Sequence, residues 1–218
     1  MPVSTTPPST VARLVAALAL GAILAGACGS RQVPIAPGQS ATTTASPTAG
    51  VATEATLRTR AAEAIAALAA KDFLKLSILA SPDQGVRFSP YAFVDLQRDV
   101  VLPVATLAQG FGNAQRHLWG HTDGRGLPME WTLEDYYTRH LWKKDFSKAP
   151  SVVIDQRTGK SNTIDNSAQA YPGARIVEYH QPSTDPNTAL DWGSLRLVFE
   201  QQGGSWYLVG VIHDEWTI

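Results

Sequence analysis

The spacing of apolar positions divides the chain into distinct stretches. From Leu57 they recur at helical spacing, through Ala61, Ile65 and Leu68, with Arg58, Arg60 and Glu63 on other faces. That spacing predicts a helix capped by Thr56. Lys71 and Asp72 interrupt it, and Phe73, Leu74, Leu76, Ile78 and Leu79 continue as a second helical piece. Ser81-Pro82-Asp83-Gln84-Gly85 reads as a turn. Short strands are expected over 85–91, stopped by Pro90, then over 99–102 and 117–120, with a short helix over 103–109. Asp123-Gly124-Arg125-Gly126 is a turn. Thr132 is placed to cap a further helix running to about Trp142, with Glu134 and Asp135 in its first turn, where they suit the helix dipole.

In the last third the period falls to two. Residues 152–154, 175–180, 195–200 and 206–213 read as strands, the last two joined by the hairpin turn Gln202-Gly203-Gly204-Ser205. Along 175–180, Ile176, Glu178 and His180 share one face, and Val177 and Tyr179 the other. Helices first and antiparallel hairpins last predict an α+β domain, with N-terminal helices packed on a curved antiparallel sheet.

The N-terminus follows a different rule. Arg13 is the only charge before Arg31, and an apolar run from Leu14 to Leu24 is broken only by Gly21. A positive flank, a short apolar run and small residues make a secretory signal peptide. Leu24-Ala25-Gly26-Ala27-Cys28 resembles a bacterial lipobox, in which the cysteine receives lipid and the chain is cut before it. Cys28 is the sole cysteine, so no intramolecular disulfide forms. Acyl chains of the palmitate kind anchor stably when two or more are present, at ~0.8 kcal/mol per buried methylene. From Gly29 to Ala52 the chain is rich in Ser, Thr, Pro, Gly and Ala, and it reads as a flexible tether. The expected organisation is a signal peptide over 1–27, lipidated Cys28 with a linker over 28–53, and a globular domain over 54–218. The expected location is the extracytoplasmic side of the cell membrane, with membrane lipid as partner.

Composition narrows the function. The chain has 218 residues and a formal net charge of -1, with no basic stripe, which argues against a nucleic-acid partner. There is no Gly-X-Ser-X-Gly, no phosphate loop and no dinucleotide fingerprint, so no cofactor is expected.

Two sets of polar residues carry candidate chemistry. Glu178, His180, Arg196, His213 and Asp214 lie on the C-terminal strands. A His beside a carboxylate acts as a general base, and Arg holds an anion. The plain alternative is solvent-facing strand residues or one structural salt-bridge network. The second set surrounds Asp123: His121 and Asp123 share metal-ligand chemistry, but Asp-Gly is common turn chemistry and no second ligand pair has zinc spacing, so no metal is expected. Tyr91 and the six tryptophans suit stacking on a small molecule, such as a glycan, or ordinary core packing.

The element order over 54–218, ending in the 195–199 strand, a turn and Trp206-Tyr207-Leu208-Val209, resembles the nuclear-transport-factor-2-like (SnoaL-like) superfamily. Three further stretches, with the C-terminus, narrow the likeness. They are Gly85 to Tyr91, Trp119-Gly120 with Asp123-Gly124, and Asp191-Trp192 with Ser194 to Glu200; the C-terminal stretch is Ile212 to Ile218. These resemble a family of bacterial lipoproteins that brings no activity with it. The superfamily implies helices over a bent sheet enclosing a cone-shaped pocket, and some of its enzymes use His and Asp for acid-base work. Glu178 and His180 are therefore expected to face the cone, with Arg196 or His213 beside them.

The favoured function is a membrane-anchored domain of the cell envelope that binds a small molecule or scaffolds a partner. The alternative is an acid-base enzyme, a hydrolase, isomerase or dehydratase, acting through His180 or His213. A third expectation is an accessory module that contacts an envelope protein.

Overall fold

A computed structural model describes residues 47–217, with side chains from residue 53 onward. The signal peptide over 1–27, Cys28 and the linker as far as residue 46 lie outside the described residues. Among the described residues, no helix is long and apolar enough to cross a membrane.

The chain opens with helix α1, Pro47–Ala69. A proline suits a first helical turn, where its missing N–H has no partner to lose, and no second proline follows before Ala69. The helix thus starts inside the stretch expected to be linker. Thr56 is not its cap: it lies within the helix, and its hydroxyl donates to Thr53 O at 2.8 Å. Lys71 takes a left-handed φ of 59° where α1 ends. Asp72 then caps α2, Phe73–Leu79, by accepting from Lys75 N at 2.8 Å.

Strand β1, Val86–Ser89, and strand β2, Val100–Leu102, pair antiparallel. Helix α3, Val104–Leu107, is shorter than the 103–109 spacing suggests, and a 3-10 turn at Gly110–Gly112 follows. Strands β3, His117–His121, and β4, Pro128–Trp131, form a separate two-stranded sheet. Thr132 does cap α4, Leu133–Tyr136, by accepting from Asp135 N. That helix passes into a π-helical turn, Tyr137–Leu141. Strand β5, Ser151–Ile154, and the short helix α5, Ser167–Ala170, precede the long strands β6, Arg175–Gln181, β7, Gly193–Gln202, and β8, Ser205–Glu215.

The fold is α+β. Its main sheet has six strands in the order β2-β1-β8-β7-β6-β5. Every neighbouring pair is antiparallel except β1 with β8, which run parallel. The central strands are long, while the two edges are short: β2 has 3 residues and β5 has 4.

Both faces of this sheet are covered. On one face Val177, Tyr179, Leu195, Leu197, Phe199, Leu208 and Val211 share a core with the apolar residues of α1 and α2. Backbone and side-chain bonds fix that layer. Ser81 N donates to Leu208 O at 2.9 Å, Tyr137 Oη donates to Leu68 O at 2.8 Å, and Trp206 Nε1 donates to Thr53 O at 3.2 Å. Aromatic rings fill the same layer near β3 and α4. Trp119 stacks on Tyr136 with centroids 4.0 Å apart, and Phe88 meets both edge-on. On the opposite face the segment over 155–174, which contains α5, lies against β6, β7 and β8. Its Tyr171 joins Val198, Val209 and Ile212 in a second, smaller apolar cluster with Val94.

Candidate functional site

Alternation on β6 separates Val177 and Tyr179 from Glu178 and His180, and the register carries that division across the sheet. Glu178 stands opposite Arg196, His180 opposite Ser194, and Ser194 opposite Asp214. The structure therefore brings Glu178, His180, Arg196 and Asp214 together. They do not face the helices. The expectation that Glu178 and His180 look into a helix-covered cone is corrected, because Val177 and Tyr179 take that side and join the core. The physical reason is hydropathy: the apolar pair belongs with α1 and α2, while the polar pair needs partners, which the 155–174 segment supplies.

Those partners are numerous. Glu178 is fully buried. Its Oε1 accepts from Thr158 N at 3.0 Å, Gly159 N at 2.9 Å and Ser194 Oγ at 2.9 Å, and its Oε2 accepts from Arg196 Nε at 3.2 Å. A buried carboxylate is tolerated when it is paired and hydrogen-bonded in this way. Arg196 also contacts Asp214, and Asp214 accepts from Arg157 Nη2 at 2.8 Å. Asp165 faces both guanidiniums, 3.3 Å from Arg196 Nη1 and 3.7 Å from Arg157 Nε. Burial pushes the Asp214 carboxyl up, and the two guanidiniums pull against it. At Asp165 burial also pushes upward, but hydrogen bonds from Ser167, then Arg196 and Arg157, outweigh it and hold the carboxyl below its usual value. His180 is half-buried, and burial lowers its pKa against the pull of Glu178 and Asp214. The 155–174 segment covers these residues, leaving Glu178 no contact with solvent.

His213 goes to the other face. It is 1% exposed and meets His140, 4% exposed, edge to face with ring centroids 4.8 Å apart. His140 comes from the π-helical turn, and its Nε2 lies 2.6 Å from Pro90 O. A carbonyl only accepts, so Nε2 of His140 carries the hydrogen. Burial lowers the pKa of His140, and burial, His140 and Lys143 lower that of His213 well below the usual histidine value. Glu215, two residues on along β8, pairs with Lys143 at 2.7 Å.

Two clefts open around this pair. One, of about 300 Å³, is lined by Tyr91, Asp123, Trp131, His140, Lys143, Glu215 and Trp216, among others. The other, of about 260 Å³, reaches His213 and is also lined by Lys143 and Glu215, with Phe146 and Trp192. Asp123 thus belongs with His140 and Glu215 rather than with Glu178. It is exposed, and its N–H donates to Tyr91 Oη at 3.0 Å, which pins the 123–126 turn to the end of β1. His121, at the end of β3, is exposed as well.

The sequence reasoning missed His140, Lys143 and Glu215. Glu215 was within reach of it, since residues two apart on a strand share a face with His213. His140 carried no such signal, because it lies 73 residues before His213 on another element.

No family model and no curated protein matches the chain. Among solved structures, a calcium/calmodulin dependent protein kinase II association domain from Xanthomonas campestris is similar at 16% identity. The match covers 70% of this chain and 79% of that chain, with a TM-score of 0.28. A likeness that loose carries no argument about function.

Proposed function

We propose that the chain is a lipoprotein of the cell envelope, anchored to the extracytoplasmic side of the membrane through acylated Cys28. Its domain, on this reading, is a nuclear-transport-factor-2-like cone that holds a small polar ligand at its open end without transforming it. The observation that carries the reading is the contrast between the two polar groups. Glu178 has its acceptor sites filled by four donors and lies under the 155–174 segment, so no substrate reaches it. The space between helices and sheet is occupied by Trp119, Tyr136 and Phe88. Beside the buried histidine pair, by contrast, a cleft of about 300 Å³ rimmed by Trp131, Lys143, Glu215 and Trp216 stays open, and it combines apolar walls with a few convergent polar groups.

The acid-base enzyme is the weaker alternative, because a general base must come within hydrogen-bond reach of its substrate, whereas the carboxylate beside His180 is fully buried and His213 is 1% exposed. Scaffolding of an envelope protein keeps some support from Leu74 and Ile78, one turn apart on α2 and 62% and 69% exposed.

Two measurements test the reading. Palmitate labelling of the expressed chain should disappear in Cys28→Ser. A thermal-shift panel of sugars, amino acids and small carboxylates should yield compounds that stabilise the full chain. The effect should fall in Trp131→Ala and Trp216→Ala. Unmodified Cys28 in the mature protein removes the anchor. Turnover of a panel compound that is lost in His180→Gln removes the non-catalytic role.

A further inference from the structure

Three side chains outside the Glu178 group meet from distant parts of the chain. His140 lies on the π-helical turn, and His213 and Glu215 lie on β8. One ring nitrogen from each histidine and one carboxylate oxygen of Glu215 fall within 4.8 Å of one another. We infer that His140, His213 and Glu215 form a binding site for a divalent transition-metal ion of the zinc class. This inference rests on the ligand-holding role proposed for the same end of the fold, and it adds the ion through which a small polar ligand would be held.

The residue types select the metal. Two imidazoles and one carboxylate suit zinc and its neighbours, whereas calcium and magnesium require shells of oxygen. The hydrogen bonds around the histidines point the same way. Nε2–H of His140 donates to Pro90 O, so Nδ1 keeps its lone pair. A metal-bound histidine characteristically gives its other N–H to a backbone carbonyl or a carboxylate, which fixes its tautomer and ring orientation. His213 supplies an independent observation. Its Nδ1 is buried and has no hydrogen-bond partner, which is unusual for a polar atom in a folded interior. A cation bound through Nδ1 would satisfy it.

Glu215 completes the set and already attracts a cation. Lys143 Nζ stands 2.7 Å from its Oε1, with the lysine side chain 43% exposed and that of Glu215 21% exposed. A tetrahedral zinc holds its ligand atoms roughly 3.4 Å apart, so the three atoms must draw together. Glu215, at the edge of the cleft, is the side chain with room to move, and Lys143 is free to swing toward solvent. With three protein ligands, the fourth position opens to the clefts of about 300 Å³ and 260 Å³ that Glu215 also lines. Water or a small polar molecule would fill it.

The competition with Lys143 makes the inference testable without disturbing the core. Zinc is titrated into the full chain in detergent after treatment with a chelator, with a chromophoric chelator reporting the affinity. One ion should bind per chain. Glu215→Gln should weaken binding at least tenfold, and Lys143→Met, which removes the competing cation, should strengthen it severalfold. His180→Gln, on the opposite sheet face, should leave the affinity unchanged. The site is overturned if zinc does not bind at micromolar concentration, if Glu215→Gln and Lys143→Met both leave the affinity unchanged, or if His180→Gln abolishes it. The thermal-shift panel repeated with chelator present separates the two proposals. A small molecule that still stabilises the chain there, together with failed zinc binding, removes the metal and retains the ligand-holding role.

Discussion

Glu178 and His180 are joined through a single hydroxyl: Ser194 Oγ lies 2.9 Å from Glu178 Oε1 and 2.9 Å from His180 Nδ1. Two residues that alternation alone would leave side by side on β6 are thus bridged from β7. The bridge is part of a charged layer that includes Arg196, Asp214, Arg157 and Asp165. Removing one partner from such a layer leaves charge buried without compensation, which typically costs about 3–5 kcal/mol. Arg196→Met should therefore lower unfolding stability by about that amount, because Glu178 and Asp214 both lose a partner. Glu178→Gln should cost less, since the amide oxygen still accepts from Thr158 and Gly159. Urea melts compare the two, and a loss under about 1 kcal/mol for Arg196→Met would show that the layer is not sealed from water.

Gly159 is the close approach that lets the covering segment reach Glu178. A Cβ there would stand 2.4 Å from the Trp192 ring and 2.5 Å from Ser194 Oγ. Gly159→Ala should push the 158–159 amides away from the carboxylate and cost about 1–3 kcal/mol, the usual range for overpacking. Gly112→Ala is the control, because no atom lies within 4 Å of the added carbon. Denaturation followed by tryptophan fluorescence should separate them, and equal melts would contradict the close packing.

Asp99 gives the chain a pH signature. Burial pushes its carboxyl up to about 6, against the opposing hydrogen bonds from Ser89 and Asp95 and the charge of Arg87. In the unfolded chain an aspartate titrates near 3.9. Between those values the folded state holds the proton more tightly than the unfolded state does. Raising the pH from about 4 to about 6 should therefore reduce the contribution of this residue to stability. Asp99→Asn should remove that fall. The check is the difference between wild-type and variant stability across the range; a constant difference would refute the assignment.

The N-terminal boundary is testable by truncation. A chain starting at residue 54 loses Thr53 O, the acceptor for Trp206 Nε1, and the first two turns of α1. It should melt lower than a chain starting at residue 44, by an amount equivalent to about 1 kcal/mol for the lost bond. Matching melts would mean that those turns add nothing to the domain.

Much of the fold was legible in the sequence. The helical spacing of Leu57 to Leu68 and the alternation of 175–180 and 195–213 correspond to α1, β6, β7 and β8. Alternation also assigned Glu178 and His180 to one face. It did not say which face the helices cover, because both faces are buried: every residue from Gly193 to Phe199 on β7 is out of solvent. Strand β4 escaped notice because it begins at Pro128 and has only Met129 buried. The parallel pairing of β1 with β8 joins residues more than 100 apart, and local pattern contains no trace of it. The same distance hid the meeting of His140 with His213.

The short edges of the main sheet have a consequence for crowded conditions. An uncovered strand edge is a row of unused donors and acceptors that recruits other chains into fibrous stacking. Here β2 offers 3 residues and β5 offers 4. The long strands, with their Val- and Leu-rich runs, all lie inside the sheet with neighbours on both sides. Copies concentrated side by side therefore find little ribbon to extend, and amyloid-type growth would first require β5 or β2 to peel away.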